Sequence, residues 1–223
     1  MDNINDKIEI IKSSDGSHTL YRADMNEHYH SVHGAIREAL HVFIESGLKQ
    51  IDKKLFNILE VGFGTGLNVF LTALSLKEDV KCSYLSLEKY PLESHIALKL
   101  NYADEVNGKN STQIFEKIHN SEWESFQEIA PQLKLMKHNR DLIDFETDLK
   151  FDLIYFDAFG PDKQPEMWGV EIFEKLYSYT NKNGILVTYS AKGDVRRAMI
   201  SAGFEVEKIP GPPGKREMLR AIK

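Results

Sequence analysis

The sequence predicts an α/β fold with a largely parallel sheet, because three features occur together in its 223 residues. Short apolar runs recur along the chain, most of them alternate with stretches that can form helices, and the last two are joined only by a turn rich in Pro and Gly. Strands that alternate with helices are typical of parallel sheets covered by helices. The apolar runs, in chain order, are FNILEV, CSYLSLE, LKLMKH, FDLIYFD, GILVTYS, GFEVEKI and EMLRAIK.

Helices are predicted before and between these runs. Ala35, Ala39, Val42 and Phe43 recur at helical spacing, and Gly47 can end that helix. The closing pair of runs leaves no room for a helix, so an antiparallel hairpin is predicted at one edge of the sheet. The other helical stretches are Asn68–Leu76, Leu92–Leu100, Glu166–Tyr179 and Val195–Ala202.

One domain is predicted over residues 1–223. It consists of an N-terminal cap or substrate segment, 1–55, and a core, 56–223, with an insertion near 101–132. No apolar run is long enough to span a membrane, and the N-terminus lacks the apolar segment of a secretory signal. The single cysteine, Cys82, gives no evidence of an oxidising compartment. We therefore expect a cytoplasmic protein with no membrane partner.

A glycine-rich turn lies between the first predicted strand and the helix that follows it. Gly62, Gly64 and Gly66 alternate with other residues in ILEVGFGTGLNVF, and Glu60 precedes them. Glycine allows a sharp bend and the close approach of a ligand, while the start of a helix offers free N–H groups to an anionic group. This pattern indicates a nucleotide-cofactor turn, although its spacing is not the G-x-G-x-x-G of dinucleotide sites.

Carboxylates follow the ends of the next two predicted strands. Glu88 ends the second strand, where an acid can accept hydrogen bonds from ribose hydroxyls, and Asp141 follows the third, where an acid can accept one from an adenine amino group. Each acid alone could be a solvated loop residue. Their occurrence at successive strand ends, after the glycine turn, favours the cofactor site.

The glycine turn and these acids resemble the S-adenosylmethionine site of class I methyltransferases. The resemblance implies a Rossmann-like, seven-stranded, mostly parallel sheet of strand order 3-2-1-4-5-7-6, with an antiparallel C-terminal hairpin that agrees with the one predicted above. It also implies S-adenosyl-L-methionine as the cofactor. The predicted cofactor-binding residues are Glu60, Gly62, Gly64, Gly66, Asn68, Glu88, Lys89 and Asp141.

Asp157 stands at the tip of the fourth predicted strand, in FDLIYFDAFGPDKQPEMW. It could cap a turn, as Asp often does. Alternatively, its carboxylate could orient an acceptor amine and take up a proton, while Phe159 helps to exclude water. We predict the second role, with Asp157 as the catalytic residue.

The N-terminal segment carries three histidines, His28, His30 and His33, in EHYHSVH. They have no acidic or cysteine partner at a familiar metal-ligand spacing, so no metal is predicted. A lid over the substrate or cofactor, built from Tyr29, His30 and Ser31, is the preferred interpretation.

Several motifs resemble the methyltransferase domain of bacterial tRNA 5-methylaminomethyl-2-thiouridine biosynthesis proteins, in the same order and over about residues 10–223. They are DGSHTLYR…EHYHSVHGA, EVGFGTGLN, LEKYPL, DAFGPDKQPEMW, AGF and GKREMLRAI. The resemblance implies N-methylation of 5-aminomethyl(-2-thio)uridine at the wobble position of tRNA, and Asp157 matches the acid that holds the aminomethyl group. The bifunctional form continues into an FAD-dependent domain, for which this chain has no room. No FAD is therefore expected, and either a separate enzyme supplies the aminomethyl substrate or tRNA modification in the organism produces it directly.

The net charge of −6 does not favour a nucleic-acid partner, but the C-terminal residues 192–223 are basic. Such a local surface suits RNA phosphates, but a solvated C-terminal face would carry the same charge, and charge alone does not separate the two. The tRNA-binding residues predicted from it are Arg196, Arg197, Lys215 and Arg216, with Phe159, Tyr29, His30 and Ser31 nearer the reacting group. Three alternatives are a methyltransferase for a small-molecule amine, a nucleotide-binding module without catalysis, and an NAD dehydrogenase. The last would require the longer glycine spacing.

Overall fold

The computed structural model describes residues 8–223, so the first seven residues of the predicted segment 1–55 lie outside the described residues. Eleven strands and seven α-helices follow one another in the described chain. The strands are β1 (Ile8–Lys12), β2 (His18–Arg22), β3 (Glu27–His28), β4 (Leu55–Val61), β5 (Lys81–Glu88), β6 (Gln127–Ala130), β7 (Leu133–Asn139), β8 (Phe151–Phe156), β9 (Thr180–Thr188), β10 (Glu205–Pro210) and β11 (Glu217–Ile222). The helices are α1 (Ala35–Ala39), α2 (Leu67–Ser75), α3 (Ser94–Ala97), α4 (Tyr102–Val106), α5 (Ser111–Asn120), α6 (Val170–Tyr179) and α7 (Gly193–Ser201).

The main sheet has the strand order β10-β11-β9-β8-β4-β5-β7-β6. Strands β9, β8, β4, β5 and β7 run parallel, and the closing pair β10 and β11 forms the predicted antiparallel hairpin. From β7 to β10 this is the order 3-2-1-4-5-7-6, as predicted. An eighth strand, β6, extends the seven expected ones, because it pairs antiparallel with β7 and buries Ile129 and Ala130.

The register of the parallel strands brings the candidate site residues together. Val61 of β4 pairs with Leu87 of β5 on one side and with Phe156 of β8 on the other. The residues that end or follow these three strands therefore lie side by side at the carboxyl edge of the sheet. Ligands bind at this edge in open α/β sheets.

Two predicted helices differ in length from those observed. The stretch 92–100 forms only the four-residue α3, in a region where Ala97 and Leu100 are the buried positions. The stretch 166–179 begins as a 3₁₀ turn, Pro165–Trp168, and becomes α6 only after Gly169, whose backbone is extended. Within residues 8–223, no helix combines the length and the apolar character needed to cross a membrane.

The N-terminal segment forms its own layer over the carboxyl edge. Strands β1, β2 and β3 make a small antiparallel sheet, and α1 continues as a π-helix over Leu40–Glu45. Leu20 and Phe43 anchor this layer in the main core. The stretch 101–132 contributes α4, α5 and β6, and its Tyr102 belongs to the same apolar core.

Candidate active site

A cavity of about 620 Å³ opens at the carboxyl ends of β4, β5 and β8, beneath the N-terminal layer. Most of the predicted site residues line it, although they are spread over nearly the whole chain. Those present are Tyr29, His30, Ser31, Gly62, Gly64, Glu88, Lys89, Asp141, Asp157, Phe159 and Lys215.

Two groups of predicted residues do not line this cavity. Glu60 and Asn68 are buried beneath the glycine turn, with 0% and 2% of their surfaces exposed, and Gly66 closes the turn. The basic residues Arg196, Arg197 and Arg216 also lie outside it, and the exposed Arg197 is paired with Asp194 on the same helix. Their predicted contact with RNA phosphates therefore concerns an outer surface.

The glycine turn adopts a backbone that only glycine takes without strain. Gly62 has φ +94° and Gly64 has φ +50°. A Cβ at Gly62 would lie 2.6 Å from the backbone oxygen of Asp157, and one at Gly64 would lie 3.2 Å from the Tyr29 ring. The bare backbone therefore lets the turn pack against the site residues from two other segments.

Glu88 is tied to the turn across the floor of the cavity. Its Oε2 accepts a hydrogen bond from the Gly64 N–H at 2.9 Å, and its Oε1 accepts one from the Tyr90 N–H at 2.9 Å. Burial raises the pKa of Glu88, and the backbone donors oppose that rise by favouring the charged form. The carboxylate is thus oriented before any ligand arrives.

Lys89 and Asp141 form an ion pair beside Glu88, with 2.8 Å between the Lys89 Nζ and the Asp141 Oδ2. Asp141 also caps a 3₁₀ turn by accepting a hydrogen bond from the Ile143 N–H at 3.0 Å. Burial alone would raise the pKa of Asp141, but Lys89 and this N–H outweigh it and lower the pKa. Asp141 is therefore an acceptor that stays ionised.

Asp157 lies where β8 meets the cavity. Its Oδ2 accepts a hydrogen bond from the Asn68 Nδ2 at 2.8 Å. Burial, with a smaller contribution from the charge of Glu38, raises the pKa of Asp157 to about 7, although Asn68 and Lys215 act in the opposite direction. A bound cation would favour the carboxylate form, so this acid suits a cationic ligand that must lose a proton.

The N-terminal layer covers Asp157 and the turn. The Tyr29 and Phe159 rings meet edge to face, with 5.2 Å between their centroids. The His30 Nε2 lies 2.7 Å from the Thr65 Oγ1, and burial lowers the pKa of His30 to about 4, so the imidazole is neutral. The other two histidines face different partners: the His28 ring packs at a tilt against the Tyr21 ring, and His33 lies against Gly214.

Among the other residues that line the cavity, Arg22, Glu38 and Tyr189 are charged or polar residues that the sequence did not single out. Glu38 pairs with Lys215 at 3.0 Å, and the Lys215 Nζ lies 4.2 Å from the centroid of the Tyr189 ring. Tyr189 follows the parallel strand β9, so its position at the carboxyl edge of the sheet could have been predicted from the sequence. Glu38 and Arg22 reach the cavity through long-range packing, for which the sequence has no local signal.

The expected cofactor can be tested against these residues. S-adenosylmethionine has a ribose, whose hydroxyls need acceptors, and a positive sulfonium centre, which a carboxylate stabilises. Among the cations that line the cavity, Arg22 and Lys215 are paired with Asp24 and Glu38. Glu88 supplies an oriented acceptor beside the bare backbone of Gly64, and Asp157 supplies negative charge near Gly62. The residues present fit this cofactor.

Glu60 makes the stability of the fold sensitive to pH. Its Oε2 accepts a hydrogen bond from the Ser86 Oγ at 2.5 Å, and complete burial raises its pKa from 4.5 to about 8. Between those values the native state binds more protons than the unfolded state, so stability falls as pH rises through this window. Each pKa unit corresponds to about 1.4 kcal/mol.

We therefore expect Glu60→Gln, which cannot ionise, to raise the melting temperature relative to wild type, by an amount that grows from pH 5 to pH 8. Thermal denaturation of both proteins at several pH values measures this difference. Comparing the two proteins removes the contribution of the other carboxylates. A difference that stays constant with pH would show that Glu60 does not titrate as described.

The chain matches known proteins in both sequence and fold. Residues 102–223 match a family model described as S-adenosyl-L-methionine-dependent methyltransferase. The chain is 32% identical over 227 residues to the tRNA 5-methylaminomethyl-2-thiouridine biosynthesis bifunctional protein MnmC of Cupriavidus metallidurans, across 94% of this chain and 33% of that protein. It is 35% identical over 173 residues to the protein of that name from Hydrogenovibrio crunogenus, across 73% of this chain and 25% of that protein.

The crystal structure of MNMC2 from Aquifex aeolicus superposes with a TM-score of 0.75 at 27% identity, over 96% of this chain and 70% of that one. The chain thus spans about a third or less of the two bifunctional relatives, which are 33% and 25% covered. The residues matched by the family model include β8, which Asp157 follows, and the C-terminal hairpin. On this evidence the chain belongs to the S-adenosyl-L-methionine-dependent methyltransferase family.

Proposed function

We propose that this chain methylates the amine of 5-aminomethyl(-2-thio)uridine at the wobble position of tRNA, giving 5-methylaminomethyl(-2-thio)uridine. The observation that carries the proposal is Asp157, a partly buried acid that lines the cavity beside the glycine turn. The printed names of the relatives support the choice of substrate, since a methylamino group is the product of one N-methylation of an aminomethyl group. Action on tRNA implies a cytoplasmic location.

S-adenosylmethionine, when bound, supplies a methyl group activated by a sulfonium. An alkyl ammonium with a pKa near ~10 in water has no free lone pair, so the acceptor must first lose a proton. The Asp157 carboxylate binds the ammonium and accepts that proton. The desolvation that raises the pKa of Asp157 also lowers the pKa of an ammonium held in the same site. The pKa difference between the acid and the amine is therefore smaller than in water.

The other cavity residues are assigned either to the cofactor end or to the substrate end of the cavity. Glu88 accepts hydrogen bonds from the ribose hydroxyls, with Gly62 and Gly64 as the bare surface below the cofactor, and the pair of Lys89 and Asp141 faces the adenine. Support for this comes from the hydrogen bond that orients Glu88 towards the turn.

At the other end, Tyr29 and Phe159 exclude water from the reacting amine, and Lys215 meets the phosphate of the reacting nucleotide. His30 and Ser31 hold the N-terminal layer in place, as their contacts with Thr65 and Glu38 support. Two expectations stay predictions: that FAD has no role here, and that a separate enzyme supplies the aminomethyl group.

Arg196 and Arg197 lie outside the cavity and are assigned to tRNA phosphates. Reversing both charges, R196E/R197E, is expected to raise the KM for tRNA and to flatten its dependence on salt, because fewer counterions are released on binding. Steady-state kinetics at several salt concentrations measure both effects. Lys54→Glu is a control, since the Lys54 side chain is 80% exposed at the opposite edge of the sheet. Equal kinetics for the double variant and the control would exclude these two arginines as contacts.

Methyl transfer to a small-molecule amine is the competing proposal, and it uses the same cofactor residues. The two are separated by supplying labelled S-adenosylmethionine with either unmodified tRNA or a panel of primary amines and measuring the label in each acceptor. Incorporation into tRNA alone is expected. Transfer to amines, with none to tRNA, would contradict the proposed substrate.

A further inference from the structure

The motif DAFGPDKQPEMW contains more residues than the proposed chemistry uses. Asp157 and Phe159 have assigned roles, whereas Gln164 and Trp168 do not. Gln164 lines the cavity. Trp168 is only 5% exposed, and its ring meets the Phe156 ring of β8 edge to face, with 4.9 Å between the centroids. The second half of the motif thus folds back against the strand that leads to Asp157.

Side chains from this motif hold both polar atoms of the Phe159 main chain. The Gln164 Oε1 accepts a hydrogen bond from the Phe159 N–H at 3.0 Å, and the Trp168 Nε1–H donates to the Phe159 carbonyl oxygen at 2.8 Å. The carbonyl oxygen of Ala158 accepts a third hydrogen bond, from the Tyr189 hydroxyl at 2.9 Å. Three side chains therefore fix two successive peptide groups, which leaves the loop after Asp157 little freedom to rotate.

The Phe159 ring lies between groups of the N-terminal layer. Its edge-to-face partner is the Tyr29 ring, and the guanidinium carbon of Arg22 lies 5.8 Å from its centroid. The Lys163 Nζ donates to the Met25 carbonyl oxygen at 2.9 Å, so the motif is also bonded to the layer that carries Tyr29. The Phe159 ring must stay in this place to close the substrate end, because a rotated ring would admit water.

We propose that Gln164 and Trp168 are positioning residues for Phe159: they hold its main chain so that its ring stays closed against Tyr29, beside the reacting amine. They act through Phe159, and they leave the Asp157 carboxylate and the cofactor end of the cavity unchanged. If the two hydrogen bonds only stabilised the turn, their loss would lower the melting temperature and leave the chemistry intact.

Gln164→Leu removes the acceptor at a partly exposed position, so the variant should fold. Its kcat is expected to fall about 10- to 100-fold with little change in the KM for tRNA or the Kd for S-adenosylmethionine, since a displacement of about 1 Å can cost 100-fold. Gln164→Glu keeps an acceptor oxygen and should restore most of the loss. Gln127→Leu is the control, because Gln127 bonds to Ser125 on the far edge strand β6. A kcat for Gln164→Leu equal to that of the control would overturn the role of Gln164.

A double-mutant cycle tests whether the effect passes through Phe159. Trp168→Phe loses the donor but keeps an aromatic ring, and Phe159→Ala removes the ring that is held. Adding Gln164→Leu or Trp168→Phe to Phe159→Ala should lower kcat no further, because changes to residues that act as one unit are not additive. Losses that multiply in the double variants would contradict the proposal.

The position of the ring can be measured without turnover. With 4-fluorophenylalanine at position 159, the fluorine-19 resonance should move towards the value of the free amino acid in Gln164→Leu and stay in place in Gln127→Leu. An unchanged resonance in Gln164→Leu would overturn the inference. Its catalytic meaning rests on the proposed function, but this shift does not. A shifted resonance in Gln164→Leu together with no tRNA methylation by wild type would refute the proposed function alone.

Discussion

Asp157→Ala is expected to lower the turnover of the proposed tRNA methylation by about two to four orders of magnitude, the scale for losing a positioned acid–base group. The Kd for S-adenosylmethionine should change little, because that binding is assigned to Glu88 and the glycine turn. Single-turnover kinetics and calorimetry separate the two effects. Glu88→Ala is the matched variant at the other end of the cavity, and we expect it to raise the Kd for S-adenosylmethionine.

Asp157→Asn sharpens this result because it keeps the shape and one acceptor oxygen but loses the charge. Below pH 7 the wild-type acid is increasingly protonated, since its pKa is about 7, so kcat/KM should rise as pH increases through that value. The Asn variant should resemble Ala at pH 7, lack this rise, and recover partly at higher pH as more of the amine is neutral. If Asp157→Asn keeps near wild-type activity at pH 7, Asp157 acts only as a turn cap or as a neutral hydrogen-bond acceptor.

Gly62→Ala is expected to disrupt both the fold and the site. At φ +94° a side chain is strained, which costs about 1–3 kcal/mol, and the new Cβ would meet the Asp157 backbone oxygen at 2.6 Å. Each kcal/mol lowers the melting temperature by about 2–4 °C in a chain of this size. Because the clash displaces Asp157, activity should fall further than the loss of stability explains.

Gly169→Ala is the matched control for that variant. Gly169 has φ −78°, and a Cβ there would meet nothing within 4 Å. Its melting temperature and activity should stay close to those of wild type. A Gly62→Ala protein with the same melting temperature and activity as this control would show that the turn tolerates a side chain.

The strand order and much of the site could be predicted because they follow from short-range patterns. Apolar runs mark the strands, and the lack of residues for a helix between β10 and β11 predicts their antiparallel pairing. Once parallel strands are assumed, Glu88 and Asp157 must lie at the same edge. This rule needs no knowledge of side-chain contacts.

The remaining features depend on long-range packing. Strand β6 has only four residues, and they do not alternate clearly between apolar and polar. Its pairing with β7 therefore could not be predicted from the local sequence. Glu60 precedes the turn in sequence, yet it shares a buried face with Ile58 and therefore points away from the cavity. Glu38 and Arg22 come from the N-terminal layer, and only the packing of that layer over the sheet brings them to the site.

The central claim is best tested by identifying the methylated nucleoside. Wild-type protein is incubated with methyl-deuterated S-adenosylmethionine and tRNA from cells that lack the modification, and the digested nucleosides are analysed by mass spectrometry. We predict deuterated 5-methylaminomethyl(-2-thio)uridine from the wobble position, matched by loss of the 5-aminomethyl form and absent with Asp157→Ala. Label in another nucleoside, or no label in tRNA from a protein that binds S-adenosylmethionine, would contradict the proposed function.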